Sequence, residues 1–319
     1  MIKFDKLKLK SDLTPIININ EDKFIKVIKD EMVHYLKFSQ KKPYQLSIII
    51  DYTHQSILVE FTGKILLDDY KKLIAKDTIQ MCIRNLNALG LIELDVDLFI
   101  ECAEVLKCDV TSDVLISIDD VVNYFNLNIR NHKKWVMKRY KTGITIENVV
   151  KTPKYKKRLS VYDKEEEIDR EINKPFIQLL SCNIMSYFKG MTRFELNLNT
   201  MSIIRNLLGL KDNKLTSVIN TPSNPILKVI DEIIEGQVPT VESLTLRDYE
   251  RMLLLKECDY DFTKLESKIR SMVSKKTSVC RLLEKYRSLA SNKFPRVKDI
   301  RQLLASLLYI PLPLFLLSL

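Results

Sequence analysis

Apolar and polar positions alternate from the start of the chain. Residues 2–10, IKFDKLKLK, follow the period of two that marks a half-buried strand. Residues 21–38, EDKFIKVIKDEMVHYLKF, place Phe24, Val27, Ile28 and Tyr35 at helical spacing behind Asn20, which predicts a capped amphipathic helix. QLSIIIDY (45–52) and SILVEFTGK (56–64) read as the two strands of a hairpin. LLDDYKKLIA (66–75) and TIQMCIRNLNALG (78–90) read as helical, the second stopping at Gly90 as a C-terminal cap. AEVLKCDVTSDV (103–114) returns to strand character, and Ser117 opens a short helix. ITIENVV (144–150) and RLSVYDK (158–164) are expected to be strands joined through KTPKYKK. Pro175 is expected to start a helix that runs to Gly190. TRFELNLN (192–199) is a strand with Phe194, Leu196 and Leu198 on one face and Arg193, Glu195 and Asn197 on the other.

After Gly209 the strand text ends and three helical segments follow: NPILKVIDEIIEG, LTLRDYERMLLLKE and FTKLESKIRSMVSKK. TPSNP, residues 221–225, is the boundary signal. The fold class expected is α+β. A central, mostly antiparallel sheet with flanking helices occupies residues 1–220, and a helical C-terminal region occupies residues 221–319.

Composition narrows this picture. Of 319 residues, 46% are hydrophobic and only 6 are Gly, so a packed core is expected and a loop-dominated chain is not. Cys82, Cys102, Cys108, Cys182, Cys258 and Cys280 form no C-x-x-C pair, which suits buried free thiols in a reducing cytoplasm. The start, MIKFDKLKLKSDL, has no apolar core of the secretory kind. The apolar end, LLASLLYIPLPLFLLSL, is interrupted by Pro311 and Pro313 and falls short of the roughly 20 residues of a spanning helix. It is expected to pack on the domain or a partner, and no membrane partner is expected.

Charge adds a partner. The net charge is +10, yet residues 130–158 alone carry +10 and residues 264–301 carry +9, leaving −9 for the remainder. Two basic blocks on an otherwise acidic chain point to a polyanion. The first block includes Lys133, Lys134, Lys156, Lys157 and Arg158, with Trp135, Tyr140 and Tyr155 as rings able to stack on unpaired bases.

Candidate chemistry lies on three strands. CDVTSD offers Asp109 and Asp113, RLSVYDK offers Arg158, Tyr162 and Lys164, and TRFELNL offers Arg193 and Glu195. Alternation sets Arg158, Ser160, Tyr162 and Lys164 on one face, with Leu159 and Val161 on the other. Carboxylate oxygens suit Mg²⁺ or Mn²⁺. A phenol with a pKa near 10 needs a neighbouring ammonium or a metal ion to act as a nucleophile. Taken singly, each of these residues is as ordinary as any solvated strand residue.

In combination they are more specific. The order VLKCDVTSD, TGITIEN, RLSVYDKEEE, MTRFELNL resembles the phage and plasmid rolling-circle replication initiators, in particular the filamentous-phage gene II/X type, and is similar to the trans-type plasmid initiators. The resemblance covers residues 98–210 well, the N-terminal part loosely and the helical end least. It implies a site-specific DNA strand-nicking and strand-transfer endonuclease of the bacterial cytoplasm. In that family the tyrosine joins the 5′ end of an origin strand, at a single-stranded or hairpin nick site, and frees a 3′-OH. Carried onto this chain, Tyr162 is the nucleophile and Lys164 its electrostatic partner. Asp109 and Glu195 hold Mg²⁺ or Mn²⁺. Arg158 and Arg193 hold DNA phosphates or brace the carboxylates. Asp51 stays open as an alternative to Asp109, Asp113 as a further ligand, and Glu167 either as a ligand or as the start of a helix. His34, His54 and His132 stand far apart, which excludes the histidine-pair metal site of the wider class.

Two rivals remain to be weighed. A tyrosine recombinase needs a His-x-x-Arg that none of the three histidines supplies. A non-catalytic DNA-binding control protein would use the basic blocks alone. The long basic helices near the C-terminus are read as gripping duplex DNA, joining two copies in a homodimer, or binding a host helicase.

Overall fold

Phe4, Leu7 and Leu9 are wholly buried while Lys6 and Lys8 reach the opposite face, and the same division repeats in the central strands of one large sheet. A computed structural model describes residues 2–129, 134–152, 155–234, 245–258, 261–272 and 276–293. The sheet has ten strands. In spatial order they are β3 (Ile25–Lys29), β4 (Met32–Gln40), β5 (Leu46–Asp51), β6 (Ser56–Thr62), β1 (Phe4–Asp12), β8 (Glu104–Leu115), β12 (Met191–Leu198), β11 (Arg158–Asp163), β10 (Gly143–Asn148) and β9 (Trp135–Tyr140). Each neighbouring pair is antiparallel. β12 enters between β8 and β11, although it follows both in the chain. A separate ribbon pairs β2 (Ile16–Ile19) with β7 (Ile92–Leu94). The expected α+β class, with a central antiparallel sheet and C-terminal helices, is the one the chain adopts.

Helices cover the apolar face. α3 (Ile118–Asn128) packs on β10 and β11, and α7 (Met201–Leu208), α8 (Leu215–Asn220) and α9 (Pro225–Ile234) pack on β8 or β12. α9 starts at the last residue of TPSNP, and its buried Val229, Ile230 and Ile233 belong to the sheet's core. α1 (Ile79–Ala88) and α2 (Val96–Cys102) support β1 and β7 from the side. α1 ends near Gly90, whose φ of +63° lies in the left-handed region that glycine adopts freely.

Over the polar face, one end is roofed by a 3-10 segment (Gly63–Lys72), α4 (Lys164–Ile168), α5 (Lys174–Ile177) and α6 (Ile184–Phe188). α10 (Leu246–Glu257), α11 (Phe262–Met272) and α12 (Lys276–Lys293) pack on one another around Leu255, Leu265, Ile269, Leu283 and Tyr286. Among the described residues, no helix is long and apolar enough to cross a membrane. The apolar end at residues 303–319 lies outside the described residues.

Three expectations need correction. Residues 21–38 form a 3-10 turn and the β3–β4 hairpin, not a helix. Their β-branched and aromatic residues favour a strand, and the two-residue turn at Asp30 and Glu31 has positive φ at both positions, as a primed hairpin turn requires. The helix expected from Pro175 to Gly190 is broken into α5 and α6. Asp68 accepts the backbone N–H groups of Ser181 and Cys182, and Asn183 caps α6 through the Met185 N–H. Trp135, expected to be free for base stacking, is only 1% exposed and sits in the core on β9, a strand unrecognised in the sequence.

Candidate functional site: a carboxylate and tyrosine cluster on the polar face

Register lines up the polar side chains in three rungs across the central strands. The first runs Lys6, Asp109, Asn197, Arg158, Glu147. The second runs Thr111, Glu195, Ser160, Thr145, and the third Asp113, Arg193, Tyr162, Gly143. Successive rungs are about 7 Å apart, two residues along a strand, so side chains of one rung can bond those of the next. A β-bulge in β1 sharpens this. Phe4 faces Val110 and Lys6 faces Asp109, so Asp5 is the extra residue, and it turns to the polar face with Lys6 while Phe4 and Leu7 stay buried.

Hydrogen bonds connect the rungs. The Tyr162 hydroxyl donates to Glu195 Oε2 at 2.9 Å. The Asn197 amide donates to Asp109 Oδ1 at 2.7 Å and to Glu195 Oε1 at 3.2 Å, tying the two carboxylates together. Arg193, with no exposed surface, donates from Nε and Nη2 to both oxygens of Asp113, and from Nη1 to Asp5 at 2.6 Å and Tyr70 Oη at 2.9 Å. Tyr70 donates in turn to Asp5 Oδ1 at 2.9 Å. Lys164, the first residue of α4, donates to Tyr70 Oη at 3.0 Å and pairs with Glu167. Its Nζ stands 5.9 Å from the Tyr162 ring centroid and 5.4 Å from that of Phe188. Asp163, whose side chain caps α4 through the Glu166 N–H, is what ends the strand and turns Lys164 inward.

The charges in this cluster are unevenly balanced. Burial, with the Asp5 and Asp109 charges close by, pushes Glu195 up to about 7, against the opposing bond from Tyr162. Burial also raises Asp109 above the usual carboxylate range, while the Asn197 bond pulls the other way. Tyr162 is held well above an ordinary phenol, by burial first and then by the Glu195 charge. Burial works on Glu167 in the same upward sense, but the Lys164 and Lys64 ammoniums overcome it and hold that carboxylate at about 2. Lys164 lies below its usual value because burial and the Arg193 charge outweigh Glu167. The pair's two halves thus respond oppositely, and the carboxylate is the better stabilised, since it faces two ammoniums.

Two clefts open beside the cluster. One of about 400 Å³ is lined by Tyr140, Thr145, Arg158, Tyr162, Arg170 and Glu195. Another of about 290 Å³ is lined by Lys6, Lys8, Lys107, Asp109, Arg158 and Asn197. Arg158 borders both.

The sequence-selected residues fall into groups. Tyr162, Glu195 and Asp109 come together, and Lys164 lies over the tyrosine ring instead of at its hydroxyl. Arg193 is enclosed with Asp113, Asp5 and Tyr70 as its hydrogen-bond partners. Glu167 is held by Lys164 at the start of α4. Asp51 is engaged by His54 in the β5–β6 turn, with β6 and β1 between it and β8. On the rim, Lys156 and Arg158 reach Glu147, and Lys157 pairs with Glu232 at 2.7 Å. Lys134 stands at the start of β9, Tyr140 is 53% exposed, and Tyr155 is exposed. Lys133 and His132 lie outside the described residues. Asp5, Tyr70 and Asn197 went unrecognised in the sequence. Asn197 stood on the correct face, while the Asp5 bulge and the Tyr70 roof leave no periodic signal. Among the described residues, no group of three or more His, Cys, Asp and Glu is arranged to hold a metal ion.

No family model matches the chain, and no curated protein matches it. A solved structure of a rolling circle replication initiator protein from Geobacillus stearothermophilus is similar at 13% identity with a TM-score of 0.31, over 73% of this chain and 97% of that one.

Proposed function

We propose that this chain initiates rolling-circle DNA replication in a bacterial cytoplasm by nicking one origin strand with Tyr162. The observation that carries the reading is the convergence of Tyr162, Glu195 and Asp109, three residues from separate matched segments, in one hydrogen-bonded cluster at the edge of an open cleft.

In the reaction proposed, the Tyr162 oxygen attacks a DNA phosphorus, the phenol proton passes to Glu195 Oε2, the bond from phosphorus to the 3′ oxygen breaks, and the departing 3′ oxygen takes up a proton from Glu195 or water. The products are a 5′-phosphotyrosine and a free 3′-OH, and the reverse transfer rejoins strands. Asp109 and Glu195 are the residues that would hold Mg²⁺ or Mn²⁺. The donors are hard oxygens whose proton affinities are raised by burial first and by the neighbouring Asp5 charge as well, and Mg²⁺ is commonly bound by one or two carboxylates with water and substrate phosphates completing its shell. When bound, the ion would supply charge neutralisation at the phosphate and favour the phenolate. Arg158, with Lys156 beside it, would position the DNA backbone along the two clefts. Lys164, held by Tyr70 and Glu167, would keep positive charge over the tyrosine ring.

Incubating the protein with a supercoiled plasmid that bears its origin, with Mg²⁺, tests the proposal. Nicked circles with covalently attached protein are expected, and Tyr162→Phe yields neither. Nicking that survives Tyr162→Phe rejects the nucleophile. Origin binding without nicking in the unaltered protein would leave a control protein that grips DNA but does not cut it.

A further inference from the structure

Away from the tyrosine cluster, a cavity of about 180 Å³ lies between the sheet and the C-terminal helices. Phe125, Asn126 and Ile129 line it from the end of α3, Trp135 and Met137 from β9, Phe262 and Glu266 from α11, and Arg287 from α12. Three of these side chains carry a buried nitrogen with no hydrogen-bond partner among the described residues: Asn126 Nδ2, Trp135 Nε1 and Arg287 Nε. Asn126 is 6% exposed and Trp135 1%. Buried donors without partners are rare, because each forfeits its bond to water. Here three come from three different elements and share one cavity.

All three are N–H donors, so what they lack is an acceptor. Of the carboxylates, Glu266 borders the cavity but is already bonded by Arg270 Nε at 2.9 Å. Water could satisfy the amide and the indole. It would leave the Arg287 guanidinium, which stacks 5.7 Å over the Phe262 ring, desolvated without full compensation. Burial lowers the proton affinity of Arg287, against the opposing Glu266 and Glu284 charges. The cavity has roughly six times the volume a water molecule occupies in the liquid, room for a tetrahedral oxyanion.

We propose that this cavity is an oxyanion site of phosphate chemistry, with Asn126, Trp135 and Arg287 as its donors. An oxyanion there would bridge α3 and β9 to α11 and α12, and so fasten the C-terminal helices to the sheet. The Arg139–Asp261 ion pair crosses the same junction at 3.4 Å. The depth of Trp135 and Asn126 favours a free ion over a phosphate of the DNA backbone, although both offer the same oxygens.

Trp135 is the chain's single tryptophan, so its fluorescence reports the site directly in the full-length protein. In phosphate-free buffer, inorganic phosphate is expected to give a saturable change that NaCl at equal ionic strength does not. Arg287→Gln should weaken the apparent affinity roughly ten-fold or more, as loss of a charge-assisted hydrogen bond implies. Asn126→Leu, which keeps the charge, should weaken it less and provides the comparison should Arg287→Gln fold poorly. A parallel titration with a short single-stranded oligonucleotide separates the sources. Saturation by phosphate identifies a free oxyanion, and a response to the oligonucleotide alone that Arg287→Gln weakens identifies a backbone phosphate. No response in either arm, or responses that neither variant alters, overturns the proposal and leaves a cavity of ordered water.

Discussion

Arg193 shows how closely the individual side chains depend on one another. Its guanidinium spends its donors on Asp113, Asp5 and Tyr70 and is fully enclosed, with the rings of Tyr70 and Phe188 within 5.6 Å. Removing such a cation takes from the Asp113 and Asp5 carboxylates the guanidinium that bonds both, so Arg193→Met is expected to destabilise the fold by about 3–5 kcal/mol, read as a shift in the denaturant midpoint. A midpoint unchanged within error would mean that the two acids find other partners. Glu167 makes a pH prediction. Its folded value is about 2 against an ordinary 4.5, so the ionised carboxylate stabilises the fold above pH 4.5, and that contribution disappears as pH falls from 4.5 towards 2. The contribution is on the order of 2–3 kcal/mol. Glu167→Gln should flatten this acid limb of the stability curve, and an unaltered limb would refute the assignment.

At the scale of elements, the strand that bears Tyr162 is set by its neighbours on both sides. Gly143 faces Tyr162 across the β10–β11 ladder, and a methyl group placed there would stand 2.1 Å from the Val161 carbonyl oxygen and 2.7 Å from Tyr162 Cα. Gly143→Ala must therefore push β10 from β11. It should cost about 1–3 kcal/mol, and it should reduce nicking beyond that loss of stability, measured at a temperature where the variant stays folded. The elements nearest the site were the most legible in the sequence. β8, β11 and β12 each bury one face and keep polar groups on the other, so a period of two stands out. β3 was not legible because neither of its faces is buried: Ile25 and Ile28 are exposed, and the spacing from Phe24 to Tyr35 imitates a helix. The site was legible to the same degree. Tyr162, Asp109 and Glu195 lie on strands with a clear pattern. Asp5 depends on a bulge and Tyr70 on a 3-10 segment, and they meet Arg193 only through contacts 188 and 123 residues apart in the chain.

For the whole molecule, charge is the property that matters most. The first basic block brings Arg158 to the border of both clefts, with Lys156 beside it at Glu147, and the described part of the second lies along α11 and α12, so under the proposed function DNA affinity should fall steeply with salt. Each phosphate contact removed lowers the slope of log affinity against log salt by roughly 0.9. Lys156→Ala with Arg158→Ala should therefore reduce it by about 2, measured by fluorescence anisotropy on an origin oligonucleotide. An unchanged slope would place the DNA elsewhere.

The late arrival of β12 has a consequence for synthesis. Until that strand emerges, β8 and β11 have no common neighbour, and the phenol lacks the Glu195 carboxylate that accepts its hydrogen bond. Under the proposed function, a polypeptide released before β12 would carry the tyrosine and the first basic block without Glu195, and so would coat DNA without cutting it.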